Sequence, residues 1–90
     1  MKKAVLTVIG NDRIGIIARV SNCLAEANIN ILDISQTTMS QMFTMIMLVD
    51  VSECNVSFDT IAQKVKDLGK EMQMQMQLQD MDIFNSMHKI

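Results

Sequence analysis

Few side chains in this 90-residue chain could do chemistry, and most stand in the wrong company. His88, the single histidine, lies close to the C-terminus, where a solvated surface role is the plain reading. Asp80 and Asp82 are two apart at an expected helix start, where negative charge is favoured, so capping explains them better than acid–base work. Cys23 and Cys54 have no CxxC spacing and no nearby His or basic partner to activate a thiolate. Cys23 falls in a helix-like stretch and reads as a small core residue; Cys54, in a polar connection, reads as an exposed free thiol. Met72, Met74 and Met76 share one face of an expected strand, and thioethers suit Cu(I). Successive same-face residues are about 7 Å apart, however, too far for one ion without help, so core filling is the better account. No nucleophile elbow, phosphate loop or HExxH is present. The chain is therefore expected to be no enzyme, with no catalytic residue, no metal site and no cofactor.

One segment is more informative: Gly10-Asn11-Asp12-Arg13-Ile14-Gly15-Ile16-Ile17. It reads as a strand-to-helix turn with glycines on both sides of a polar triplet. Gly10 leaves room above the strand end, and Gly15 is expected in the first helical turn, where a missing side chain admits a ligand or another backbone. Free amides at the helix start, aided by the macrodipole, suit a carboxylate. A tight, well-capped turn with no ligand fits the same residues.

These groups need a scaffold, and the composition limits which. The length allows one domain. Hydrophobic residues at 49% and charged residues at 20% are ordinary for a globular chain. A net charge of −2 argues against a phosphate-backbone binder, and three aromatics (Phe43, Phe58, Phe84) are too few for a stacking platform, so no nucleic acid is expected. The longest apolar run, Met45 to Val49, is far below the roughly 20 residues of a membrane span. Gly10-Asn11-Asp12-Arg13 interrupts the apolar start too early for a signal peptide. A cytoplasmic protein without membrane contact is expected.

Hydrophobic periodicity then gives the elements. Lys3 to Ile9 is a strand apolar on both faces, hence central. Asn11 or Asp12 caps a helix over about 13–27, with Ile17, Val20, Leu24 and Ala27 buried. Asn28 closes it. Ile29 to Thr38 is a second strand, and a turn near Ser40-Gln41 leads into a third over 43–51, again apolar on both faces. A second helix runs from about Ser57 to Leu68, with Gly69 at its C-cap. Met72 to Gln79 alternates at period two and reads as a half-buried strand. Asp80 or Asp82 caps a short last helix with Met81, Phe84 and Met87 on one face. The order β-α-β-β-α-β closes into an α+β, ferredoxin-like sandwich: an antiparallel sheet in order 4-1-3-2, two helices on one face, and a short C-terminal helix.

That architecture leaves a debt. Helices cover one sheet face, yet the central strands are apolar on both. Leaving three or four such side chains wet would forgo roughly 1.5–3 kcal/mol each. The C-terminal segment (Met81, Phe84, Met87, Ile90) and a second copy of the chain are the candidate covers, so a homo-oligomer is expected, most simply a dimer.

The residues Asp12-Arg13-Ile14-Gly15-Ile16-Ile17, Val20, and Leu24-Ala25-Glu26-Ala27-Asn28-Ile29-Asn30-Ile31 together resemble the signature of the ACT domain, a small regulatory module that typically binds amino acids. Asp33-Ile34-Ser35-Gln36-Thr37 and the tail Ile83 to Ile90 look more narrowly like the stand-alone UPF0237 members. The glycine-cleavage repressor and formyltetrahydrofolate deformylase carry related domains. The resemblance implies an ACT-like domain over 1–80, with a helical tail over 81–90 packing on the same domain or its partner. It implies a ligand site from Gly10, Asn11, Asp12, Arg13, Ile14, Gly15 and Ile16 in the turn and Asn30 before the second strand. The family's proline is Ile14 here, and the positions that read serine in serine-sensing members hold Gly10 and Asp12. The expected function is sensing of an amino acid or similar metabolite at a dimer interface, with output through an unidentified regulated protein. The alternative is a dimerisation module without a ligand.

Overall fold

A computed structural model describes residues 1–87. The expectations for His88 and Ile90, and for the side chain of Met87, fall outside what it describes. Among the described residues the elements are β1 (Lys3–Asn11), α1 (Ile16–Glu26), β2 (Asn30–Met39), β3 (Met42–Asp50), α2 (Phe58–Met72), β4 (Gln75–Asp80) and α3 (Met81–Met87). The strands form one antiparallel sheet in order β2-β3-β1-β4, the expected order read from the other edge.

Alternation on the strands fixes which residues meet the helices. Ala4, Leu6 and Val8 of β1, Met45, Met47 and Val49 of β3, and Met76 and Leu78 of β4 are buried in one cluster with Ile16, Val20 and Leu24 of α1 and Ile61 and Val65 of α2. Burying each large member contributes about 1.5–3 kcal/mol. The other face carries Val5, Thr7 and Ile9 of β1 and Thr44, Ile46 and Leu48 of β3. Val5 is only 3% exposed yet stands outside the core cluster, and α3 lies against β1 and β4. The last helix thus covers one end of this face. Ile9 and Ile46, 41% and 43% exposed, remain open at the other.

Several boundaries differ from expectation. Neither Asn11 nor Asp12 caps α1: Asn11 extends β1, paired with Met42, and the helix begins after Gly15. The buried stripe accordingly leads with Ile16, while Ile17 is exposed. Gly69 is not a cap but lies inside α2, which runs on to Met72 and takes that residue out of the expected strand. A Cβ on Gly69 would stand 2.8 Å from the Met74 carbonyl oxygen, so this glycine lets the helix lie tight against the chain entering β4. Both long helices end on a left-handed residue: Asn28 (φ 61°), as expected, and Gln73 (φ 58°) in place of Gly69. The amides of Ile29 and Met74 donate back to the carbonyls of Leu24 and Gly69, the paired bonds of a Schellman cap. Cys54 is half-buried against the core rather than exposed, and Cys23 is likewise half-buried there. At the far end, the Asp80 carboxylate accepts from the Asp82 amide at 2.9 Å, so Asp80 is the residue that starts α3.

Candidate functional site

The β1–α1 turn is held at both of its ends. The Asp12 amide donates to the Gln41 carbonyl at 2.8 Å, tying the turn to the β2–β3 hairpin. The Arg13 guanidinium donates to the Met72 carbonyl at 2.5 Å, one of the carbonyls left over at the C-terminus of α2, where a cation also meets the favourable end of the macrodipole. Arg13 thus acts first as a clamp between the turn and α2.

Gly15 has φ +89°, and no heavy atom lies within 4 Å of where its Cβ would be. Glycine is required there by the backbone, and the space beside it is open. The first bond inside α1 runs from the Arg19 amide to the Gly15 carbonyl at 3.0 Å, and no side chain caps this end. The amides of Ile16, Ile17 and Ala18 precede that bond and have no partner within the helix. These three residues line a shallow cavity of about 430 Å³ together with Asp12, Arg13, Gly15, Gln36, Thr38 and Phe43. Asp12 is exposed. The arrangement offers donors for an anion on one side and a carboxylate nearby.

The remaining expected site residues divide. Gly10 does not open the site: a Cβ there would meet the Met74 side chain at 2.9 Å, so its role is packing at the strand end. Asn11 is a ladder residue, Ile14 is fully exposed at the tip of the turn, and Ile16 borders the cavity while its side chain is buried in the core. Asn30 is not brought to the turn. It faces Asp50 at one end of β2, whereas Thr38 faces Phe43 at the other; eight residues of strand separate them by about 26 Å. Gln36 and Thr38 were not anticipated. Their signal is polarity at period two after Ile34, on the helix side of the sheet, where an edge strand would otherwise be apolar.

The cysteines offer no competing centre. Burial, then the charge of Glu26, push the Cys23 thiol up, away from a reactive thiolate. Among the described residues no group of three or more His, Cys, Asp or Glu could hold a metal ion, and no helix is long and apolar enough to cross a membrane.

Comparison with known proteins identifies the family and the fold. A sequence profile described as ACT domain matches residues 2–79. A UPF0237 protein of Clostridium acetobutylicum is 53% identical over 88 residues, covering 98% of this chain and 99% of that one. Among solved structures, an ACT domain protein from Streptococcus pneumoniae superposes with a TM-score of 0.80 at 36% identity, over 92% of this chain and 93% of that one. A formyltetrahydrofolate deformylase from Pseudomonas syringae gives 0.81 at 27% identity, over 89% of this chain but 28% of the enzyme. The match thus runs through the turn, both helices and the whole sheet, and the chain belongs to the ACT domain family, whose members are small regulatory ligand-binding modules rather than catalytic ones.

Proposed function

We propose that the chain senses a small zwitterion, an amino acid or close analogue, in the groove beside the β1–α1 turn, and that a second copy completes the site. The bare N-terminus of α1 beside the Asp12 carboxylate supports this most directly. The amides of Ile16, Ile17 and Ala18 suit the ligand carboxylate, and Asp12 suits its ammonium. Gln36 and Thr38 add polar groups across the groove.

Asn30 enters only through a second copy. β2 is an edge strand, and none of its ten residues is fully buried. If two such edges pair antiparallel about a twofold near their midpoint, the partner's Asn30 comes to the Thr38 end of β2 near the turn, with its side chain on the open face of the sheet. Ligand binding there favours the paired state by its difference in affinity for the two states, which couples metabolite level to assembly. A regulated protein would read that change.

Isothermal titration of the chain with each of the twenty amino acids is the test. Heat is expected with one amino acid or a small related group, together with a higher melting midpoint. Asp12→Asn should weaken that binding at least tenfold without changing the melting temperature of the free protein. Absence of heat with all twenty at millimolar concentration would leave the ligand-free dimerisation module as the better account.

A further inference from the structure

The opposite edge of the sheet carries a second surface. β4 pairs with β1 on one side only, so alternate residues of β4 turn their N–H and C=O groups outward, ready to receive a strand. A groove of about 410 Å³ runs there, and its lining comes from both faces of the sheet. Thr7, Ile9 and Gln77 bound it on the open face; Lys66, Lys70 and Met76 bound it on the helix side. A small molecule held on one face would touch only half of this lining. An extended chain alternates its side chains to both sides and matches all of it.

The charges define what that chain must carry. Lys66 and Lys70 are exposed, and among the described residues neither is in an ion pair. They stand one helical turn apart on α2, about 6 Å along the axis. Same-face residues i and i+2 of a strand are about 6.7 Å apart. Two carboxylates at alternate positions of an added strand therefore fall opposite the two ammonium groups. A neighbouring groove shares Lys66 and Gln77 and continues along the seam to Leu78, where the Asp59 carboxylate ends the stretch that favours acidic side chains.

We infer that the outer edge of β4 docks an extended acidic segment of another protein, which adds to the sheet as a fifth strand with carboxylates at i and i+2 against Lys66 and Lys70. Backbone bonds to β4 supply general affinity, and the lysine pair supplies selection. The zwitterion groove lies at the β2 side and takes no part in this.

Fluorescence anisotropy with the full chain and the labelled peptide Ac-VTVEVEVT-amide tests it, with amide chemical shifts to locate the contact. Saturable binding is expected, with shifts confined to β4 and the facing side of α2. The double variant Lys66→Glu/Lys70→Glu should lose at least tenfold in affinity, and the peptide with Lys in place of Glu should regain it on that variant. N-methylation of one alternate set of peptide amides should abolish binding to the unaltered protein, while methylation of the other set should not. No binding up to 1 mM peptide overturns the inference. So do shifts at β2 instead, equal binding of the Glu and Lys peptides, or insensitivity to either methylation pattern. Displacement of the peptide by millimolar succinate with matching shifts would mark a site for small dianions and would also overturn it, as would self-association of the chain through β4.

Discussion

Gly15 holds a left-handed backbone with empty space where a side chain would be, while Gly10 and Gly69 are pressed against Met74 and Met76. The three glycines of the chain thus answer to different constraints, and the difference is measurable. Gly15→Ala meets no atom, so its cost is conformational, about 1–2 kcal/mol for an L-residue at positive φ. That strain acts where α1 starts, so the same substitution should also weaken any ligand held on the first-turn amides. Urea denaturation should give the stability loss, with the m-value unchanged because the folded surface is the same. Gly15→Asn should recover much of it, since asparagine tolerates this region better than alanine. A loss under about 0.3 kcal/mol for alanine would mean the turn relaxes to another backbone path. Ile14, one residue earlier, lies wholly in solvent, so its side chain packs on nothing, and the bond from Arg13 to the Met72 carbonyl ties the turn to α2.

At the scale of elements, composition and periodicity were enough for the order of strands and helices, the sheet order and the central strands. Two-sided apolarity of β1 and β3 is a strong signal because an edge strand with that pattern would be costly. The end of α2 was not legible, because Gly69 has two possible reasons to exist and sequence shows neither. A glycine near an expected helix end suggests a cap; here it marks where Met74 and Met76 cross the helix closely. The actual stop is Gln73, a residue with no reputation for the left-handed region, put there by the bonds from Gln73 and Met74 back to Lys70 and Gly69. The separation of Asn30 from the turn was equally invisible, since it depends on register. Two substitutions follow. Gly69→Ala should destabilise by about 1–3 kcal/mol through overpacking, although alanine gains about 1 kcal/mol in helix propensity. Gln73→Gly should stabilise by about 0.5–1 kcal/mol by removing the cost of a side chain at positive φ. Thermal melts of the two variants should move in opposite directions; movement in the same direction would contradict these separate roles for the two positions.

For the whole molecule, the question is which surface a second copy takes. The apolar debt expected of the open sheet face is smaller than the sequence suggested, because α3 already shields Val5 and Leu48 is half-buried. Ile9 and Ile46 remain, among Thr7, Thr44 and the glutamines of β4, a mixed surface with modest drive. β2 has a stronger claim. Among the described residues no strand covers its outer edge, where the Ile34 amide donates to the Asp33 carboxylate at 2.9 Å; Leu32 and Ile34 are 37% and 40% exposed, and Met39 is 73% exposed at its end. Covering the remaining surface of one such side chain contributes roughly 1 kcal/mol, and a ladder of edge hydrogen bonds contributes a further fraction to about one each. Pairing along β2 about a twofold near its midpoint also brings the Asn30 end of one copy's strand to the Thr38 end of the other's. Sedimentation velocity at micromolar concentration should therefore show a dimer. Ile34→Lys should shift it toward monomer, because a charge then sits at the seam, and Ile46→Lys should leave it intact. The reverse result would assign the interface to the open face, and the edge pairing along β2 would be abandoned.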